Sequence, residues 1–446
     1  MDDIKGKLSR EQLEQRIRSG EMDTVIIAYV DHYGQLLGKR LTGEFFLKEQ
    51  QTAGCNYVLT ADIEMDPLPG FTLAGWEQGF GDFLLLPDLY SIRELGWRKG
   101  TACIIADLAH NSRQLVPQSP RTVLKRQLRR YGDAGMTVKM SSELEFYLFD
   151  TPYRTLYESG PGSLVPASCY SIDYHILGTD YFEDLMAEIR KCITATGIPV
   201  ESGKGETGSG QYEIALEYAK ALDMADRHVL FKYGIKSITQ RHGSSATFMA
   251  KYTHEDSGSS CHIHLSLWDD ENNLFTGDTE LCRHFLAGLC ELSSEMFLFY
   301  APTVNSYKRY CTGSFAPLNA TWDYDNRTVG YRLIGSGSSY RIENRFPGAD
   351  VNPYLSYAAM LGAGMYGIEH KLPCPEPTGG SAYQTGVRPV PRTLEEAADM
   401  LDGSDRVRAI LGDDVVDHYV HHARLEAAAS RSTVHPWEVK RYFERI

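Results

Sequence analysis

The 446-residue sequence predicts an α+β protein of two unequal domains, on three observations. The chain is too long for one small core. Strand-length apolar runs dominate the first 112 or so residues, with one or two helices among them. Beyond a linker marked by Pro117 and Pro120, strand and helix patterns intermix to the end. The expected domains are therefore 1–112 and 113–446.

Taken in order, Ser9-Arg-Glu-Gln12 has the form of a capping box and opens a short helix. Residues 24–31 (TVIIAYVD) read as a strand, Tyr33-Gly34 as a turn, and 35–41 as the hairpin partner. The runs 83–87 and 102–107 are further strands, and 122–131 is helical. In the second domain, strands are expected at 138–148, 211–216, 262–268, 328–333 and 340–346. Helices are expected at 181–196, 223–242, 280–299, 353–371, 393–401 and 414–432. No internal repeat or low-complexity tract is present.

Composition narrows the function. With 42% hydrophobic and 23% charged residues, the chain has the make-up of a soluble globular protein. A net charge of −14 argues against a general nucleic-acid binder. The polar N-terminal stretch has no signal-peptide core, and no run of about 18 apolar residues exists to span a membrane. The nine cysteines are scattered without CxxC pairs, which predicts reduced thiols in a cytoplasmic protein.

Chemistry enters through alternation, because residues i and i+2 of a strand share a face. Glu143-x-Glu145, His262-x-His264 and Arg341-x-Glu343-x-Arg345 all have this spacing, and Glu206 and Glu213 flank a glycine-rich turn. Like carboxylates on one face repel unless a cation neutralises them. The set is either a solvated strand face or a convergent cation site. Five carboxylates with one imidazole, His262, would suit Mg²⁺ or Mn²⁺ rather than zinc or copper. Arg309, Arg327, Arg332, Arg341 and Arg345 offer forks for carboxylate and phosphate oxygens, or else form surface ion pairs. The stretch Ser202–Gly210 is not a P-loop, since no Gly-Lys-Ser/Thr closes it. No Rossmann fingerprint and no nucleophile elbow appears.

The stretches SSELEFYLFD, VESGKGETGSGQYEI, ATFMAKY…GSSCHIHLSLW, NSYKRYCTGSFAP, DNRTVGYR and RIENRFPGADVNPYL, in this order, resemble the glutamine synthetase family. The resemblance implies a small β-grasp domain before a large catalytic domain. It implies a cytoplasmic ring, usually a dodecamer, with each active site between neighbouring subunits. Two or three Mg²⁺ or Mn²⁺ ions per site are implied, with ATP as a substrate. Glu145, Glu206 and Glu213 would hold one ion; Glu143, His262 and Glu343 would hold the second. Gly258, Arg309 and Arg345 match glutamate contacts. Arg327, Arg332 and Arg341 match contacts to the ATP phosphates, and Glu201, Tyr218, His264 and Ser266 match nucleotide contacts. Arg309, Arg327 and Arg345 would be catalytic. The implied reaction phosphorylates the glutamate side-chain carboxylate, and an amine then displaces phosphate.

Departures bear on the amine. Where ammonia-using members carry a glutamate after the NSYKR arginine, this chain reads Gly313-Ser-Phe-Ala-Pro317, so Phe315 stands in its place. The N-terminal Asp-Gly-Ser-Ser element of those members is absent, and Asp62 is the nearest acid. Both changes weaken ammonium binding, so an organic amine such as a polyamine, ethanolamine or another alkylamine is expected, as in the γ-glutamylamide synthetases. The alternatives are an ammonia-using enzyme with a different acid, or an inactive relative. Ser257 and Ser338 replace residues often Asn and Lys in the family. The context of Tyr383 lacks the features of the adenylylation site of regulated bacterial members, so no such modification is expected there.

Overall fold

The computed structural model describes residues 4–49, 51–384, 386–387 and 389–446. The first sheet holds β1 (Thr24–Val30), β2 (Leu36–Thr42), β3 (Thr52–Cys55), β4 (Asp82–Pro87), β5 (Arg93–Glu94) and β6 (Thr101–Ala109). Their order is β2-β1-β6-β4-β3, with β5 paired to β6. β1 runs parallel to β6 and antiparallel to β2. The continuous apolar character of β1 has a plain cause: both its faces are covered. Val25, Ile27 and Tyr29 enter a small core beside the helix Arg10–Arg18, while Ile26, Ala28 and Val30 enter the main core.

The second sheet holds β7 (Thr137–Phe149), β8 (Val200–Gly205), β9 (Gln211–Leu216), β10 (Ala219–Lys220), β11 (Ser245–Thr247), β12 (Cys261–Trp268), β13 (Trp322–Tyr324), β14 (Tyr331–Ile334) and β15 (Arg341–Asn344). The order is β13-β14-β15-β12-β7-β9-β8, with β10 and β11 on the ends of β7. One face is mostly apolar: Leu144 and Phe146, Ile263 and Leu265, Tyr212 and Ile214, and Ile342 all lie in the main core. Helices Pro120–Asp133, Ala221–Arg241 and Pro353–Glu369 contribute buried residues to that core. By the two-residue period, the opposite face carries Glu143, Glu145, His262, His264, Glu213 and Glu343.

The segments that carry the two sheets meet at charge. Arg121, at the start of its helix, donates to Asp107 Oδ1 (2.7 Å), Asp88 Oδ2 (2.7 Å) and Asp226 Oδ1 (3.1 Å). Asn352 donates to the Asp31 carbonyl (3.0 Å) and caps Pro353–Glu369.

Two local expectations are corrected. The helix predicted over 280–299 ends as Glu280–Leu292, with a 3-10 turn at Phe297–Phe299. Ser293 Oγ donates back to the Leu289 carbonyl there (2.7 Å), a bond that competes with helix continuation. The strand predicted from 328 starts at Tyr331, because Asn326 Oδ1 takes the Thr328 N–H (2.9 Å) in a turn. The glycine-rich 200–205 stretch, for which the sequence predicts no element, forms β8, an edge strand with a register shift between Val200 and Ser202. Among the described residues no helix is long and apolar enough to cross a membrane, and all nine cysteines are free.

Candidate active site

The polar face of the large sheet opens into a cavity of about 610 Å³. Strand register brings the acids together. Glu143 on β7 stands opposite His262 on β12, and Glu145 stands opposite Glu213 on β9. Glu343 on β15 stands opposite Arg332 on one side and His264 on the other. Carboxylate and imidazole atoms of Glu143, His262 and Glu343 lie within 4.8 Å of one another, and so do those of Glu145, Glu213 and His262. Residues 200 positions apart in the chain thus come into one cluster, and two three-ligand groups share His262.

The groups differ in their neighbours. His262 Nδ1 lies 3.4 Å from Glu343 Oε1 and 3.6 Å from Glu143 Oε2, and His264 Nε2 lies 2.9 Å from Glu143 Oε1. Glu343 is only 1% exposed and bridges two arginines: Arg332 Nη1 donates at 2.9 Å and Arg345 Nη1 at 2.5 Å. Burial alone would raise the Glu343 carboxyl, but His262 and Arg345 overcome it and hold it down at about 2. Glu143 is likewise held well below its usual range: burial is outweighed by His264 and His262.

The second group has few cations. Burial, and then the Glu143, Glu145 and Glu206 charges, push Glu213 up to about 9. Burial and Glu145 push Glu206 up to about 7, with Lys204 opposing through a close ion pair. Glu145 is held in place by the Ser260 N–H (2.7 Å), the Ser260 hydroxyl (2.6 Å) and the Gln211 amide (3.2 Å). Buried carboxylates crowded until they retain protons are what a divalent cation relieves, and an all-oxygen set with one imidazole fits a hard ion. The donor set therefore fits the metal chemistry expected of it.

Most predicted residues converge here. Arg309, Arg327, Arg332, Arg341 and Arg345 line the cavity with Gly258 and His264. Arg309 is aimed by two carbonyls, Phe346 O (2.7 Å) and Arg345 O (3.0 Å). A Cβ at Gly258 would sit 2.7 Å from the Arg309 Cγ and 2.9 Å from the Ala250 carbonyl, so only glycine fits there. Arg341 Nε donates to His264 Nδ1 (3.1 Å). Glu343 lies behind the wall rather than on it.

Three predicted nucleotide contacts do not line the cavity. Glu201 is the residue left over by the β8 register shift and is exposed at the sheet edge. Tyr218 is exposed beside Lys139. Ser266 lies one step further out along β12 than His264 and accepts from Trp268 Nε1 (2.8 Å). Conversely, Asp173, Tyr174 and Lys204 line the cavity and escaped the sequence reading. Lys204 sits over the Tyr174 ring at 4.6 Å and pairs with Glu206, two residues on; that i, i+2 spacing on a strand was the available signal. Phe315 stands at the cavity mouth, 61% exposed, with φ +58°. A left-handed conformation costs a non-glycine residue about 1–2 kcal/mol.

Residues 117–442 match the model of the glutamine synthetase catalytic domain. The chain belongs to the glutamine synthetase family. Family enzymes use ATP and divalent metals. Among similar proteins, the gamma-glutamylethanolamide synthetase of Streptomyces coelicolor is 44% identical over 446 residues, 98% of this chain and 96% of its own. The glutamate–isopropylamine ligase of a Pseudomonas species is 37% identical, covering 96% and 97%. The solved GmaS/ADP complex superposes with a TM-score of 0.85 at 28% identity, covering 97% of this chain and 99% of the other.

Proposed function

We propose that this glutamine synthetase family member is an ATP-dependent ligase that joins the side-chain carboxylate of glutamate to an organic amine. The observation that carries the reading is Phe315. It occupies the mouth of a cavity lined by acids and arginines, where an ammonia user carries a glutamate. A phenyl ring takes no proton from ammonium; it packs on an alkyl chain or faces an ammonium group through its π cloud. The similar ethanolamide and isopropylamine ligases are in keeping with this.

The chain's residues divide the work. Arg309 and Arg345 bind the glutamate carboxylates beside Gly258. Arg327, Arg332 and Arg341 neutralise the phosphates, and Arg327 and Arg345 stabilise charge on the transferring phosphoryl group. Glu145, Glu206 and Glu213 hold one Mg²⁺ or Mn²⁺, and Glu143, His262 and Glu343 another, with two or three ions per site. Ions bound there would polarise the γ-phosphate and screen the carboxylate nucleophile from its charge. The γ-carboxylate oxygen attacks phosphorus as ADP leaves, giving γ-glutamyl phosphate. The neutral amine then attacks the acyl carbon, phosphate departs, and a proton is lost from nitrogen. Glu201, Tyr218 and Ser266, outside the cavity wall, add only weak outlying contacts to the nucleotide.

The first 112 residues are read as a β-grasp domain, supported by the mixed order β2-β1-β6-β4 with its central parallel pair. The second unit spans 113–446. A cytoplasmic ring, a dodecamer of stacked hexamers, completes the reading. The deciding experiment measures phosphate release with glutamate, ATP, Mg²⁺ and a panel of ammonia, ethanolamine, isopropylamine and putrescine, with product mass as readout. An organic amine should exceed ammonia in kcat/KM; ammonia exceeding every organic amine refutes the reading.

A further inference from the structure

The Phe315 loop is held from outside, by a segment about 70 residues further along the chain. The Tyr383 hydroxyl donates to the Ala316 carbonyl (3.1 Å). Its phenol is half-buried; burial raises its pKa, and the Phe315 N–H, Arg345 and Arg309 oppose that. The hydroxyl therefore meets the backbone of the Phe315 loop.

The segment bearing Tyr383 is itself anchored to the arginine side. The Ala382 N–H donates to Thr328 Oγ1 (2.9 Å), next to Arg327. Asn319 Nδ2 donates to the Ala382 carbonyl (3.0 Å), and Asn326 Nδ2 to the Gly380 carbonyl (2.7 Å). Gly379 N–H reaches Asp323 Oδ2 (3.1 Å). The 379–383 stretch is thus a strap with its anchor in the 319–328 segment and its far end on the loop of Phe315. A left-handed φ at an aromatic residue persists only where the surroundings hold it. Ser314 Oγ donates to the Cys311 carbonyl (2.6 Å) and, at 3.4 Å, to the Arg309 carbonyl, and so shapes the loop from its N-terminal side, whereas Tyr383 holds it from a distant segment.

We infer that Tyr383 is a positioning residue for the amine site: its hydroxyl fixes the Ala316 carbonyl, and with it the angle at which the Phe315 ring meets the organic amine. The inference rests on the reading of Phe315 as the amine contact. It makes the strap, and not only the loop, a determinant of amine selectivity, and it predicts effects confined to one substrate.

The test compares wild type, Tyr383→Phe, Thr328→Val and Phe315→Ala in the full chain, with ethanolamine, isopropylamine and putrescine as probes at saturating ATP and glutamate. Loss of one hydrogen bond should raise KM for the amine about fivefold in Tyr383→Phe. KM for ATP and glutamate, kcat at saturating amine and melting temperature should stay near wild type. Thr328→Val, which releases the strap at its other end, should move amine KM in the same direction by a smaller factor. If Phe315→Ala raises amine KM and neither strap variant does, the positioning role is refuted and the amine reading stands. If every KM and the melting temperature move together, Tyr383 is merely structural and the inference is refuted. If Phe315→Ala also leaves amine KM unchanged, or wild type turns over no probe amine, the underlying reading falls and takes the inference with it.

Discussion

Two carboxylate groups face each other across β7, and their electrostatics are opposite. Glu343 and Glu143 are surrounded by Arg332, Arg345, His262 and His264, and remain ionised at low pH. Glu213 and Glu206 have Lys204 as their close cation and are pushed up to about 9 and about 7. One group is neutralised by the fold itself; the other waits for a charge from outside. Such a division keeps part of the site rigid without ions while the remainder couples metal binding to proton release.

The largest effect should come from breaking the self-neutralised group. Glu343→Ala leaves buried Arg345 without its carboxylate, and loss of one partner of a buried pair costs roughly 3 kcal/mol. Activity should fall below detection and the urea midpoint should drop. An unchanged midpoint would show that the arginines do not depend on Glu343.

The second prediction concerns pH. In metal-free protein Glu213 lies above its ordinary 4.5, so the native state holds that proton more tightly than the unfolded chain. Stability of metal-free protein should therefore fall as pH rises from about 5 to about 9. For Glu343 the sign reverses: its contribution is present above about 4.5 and is lost as pH falls toward about 2. Apparent Mn²⁺ affinity should rise about tenfold per pH unit between about 7 and 9, and more steeply below, where Glu206 also releases a proton. Calorimetry in buffers of different ionisation heat counts the protons. Glu213→Gln should flatten the upper limb, and a pH-independent affinity in wild type would contradict the contrast.

A third effect, of roughly 10–100-fold, is expected in substrate preference. Phe315→Glu restores a carboxylate at the cavity mouth and should raise kcat/KM for ammonia relative to organic amines. The smallest effect belongs to the periphery. Glu201→Ala should change KM for ATP by no more than about threefold, because its side chain is exposed beyond the cavity. A larger change would extend the nucleotide site over the β8 edge.

Much of this was legible in the chain. Alternation in the 138–148 and 262–268 stretches correctly put Glu143 with Glu145 and His262 with His264 on one face, since side-chain period is a local property. The double-sided burial of β1 likewise shows in its unbroken apolar run. Lys204 was overlooked because its stretch, Ser202-Gly-Lys-Gly205, has weak strand propensity and becomes a strand only by pairing with β9. Glu201 falls outside the cavity because a one-residue register shift re-aims a side chain, and no composition signals such a shift.

By itself the sequence determined which acids, imidazoles and arginines the site draws on and which of them share a face, because each is a matter of residue identity and two-residue spacing. The tertiary structure alone decided which acid faces which. Opposition of Glu145 to Glu213, shelter of Glu343 between two arginines, and attachment of Tyr383 to the Phe315 loop all depend on strand register and chain return. Register is set by how distant segments bury their apolar faces together, and that free energy is not assigned to any one stretch of the chain.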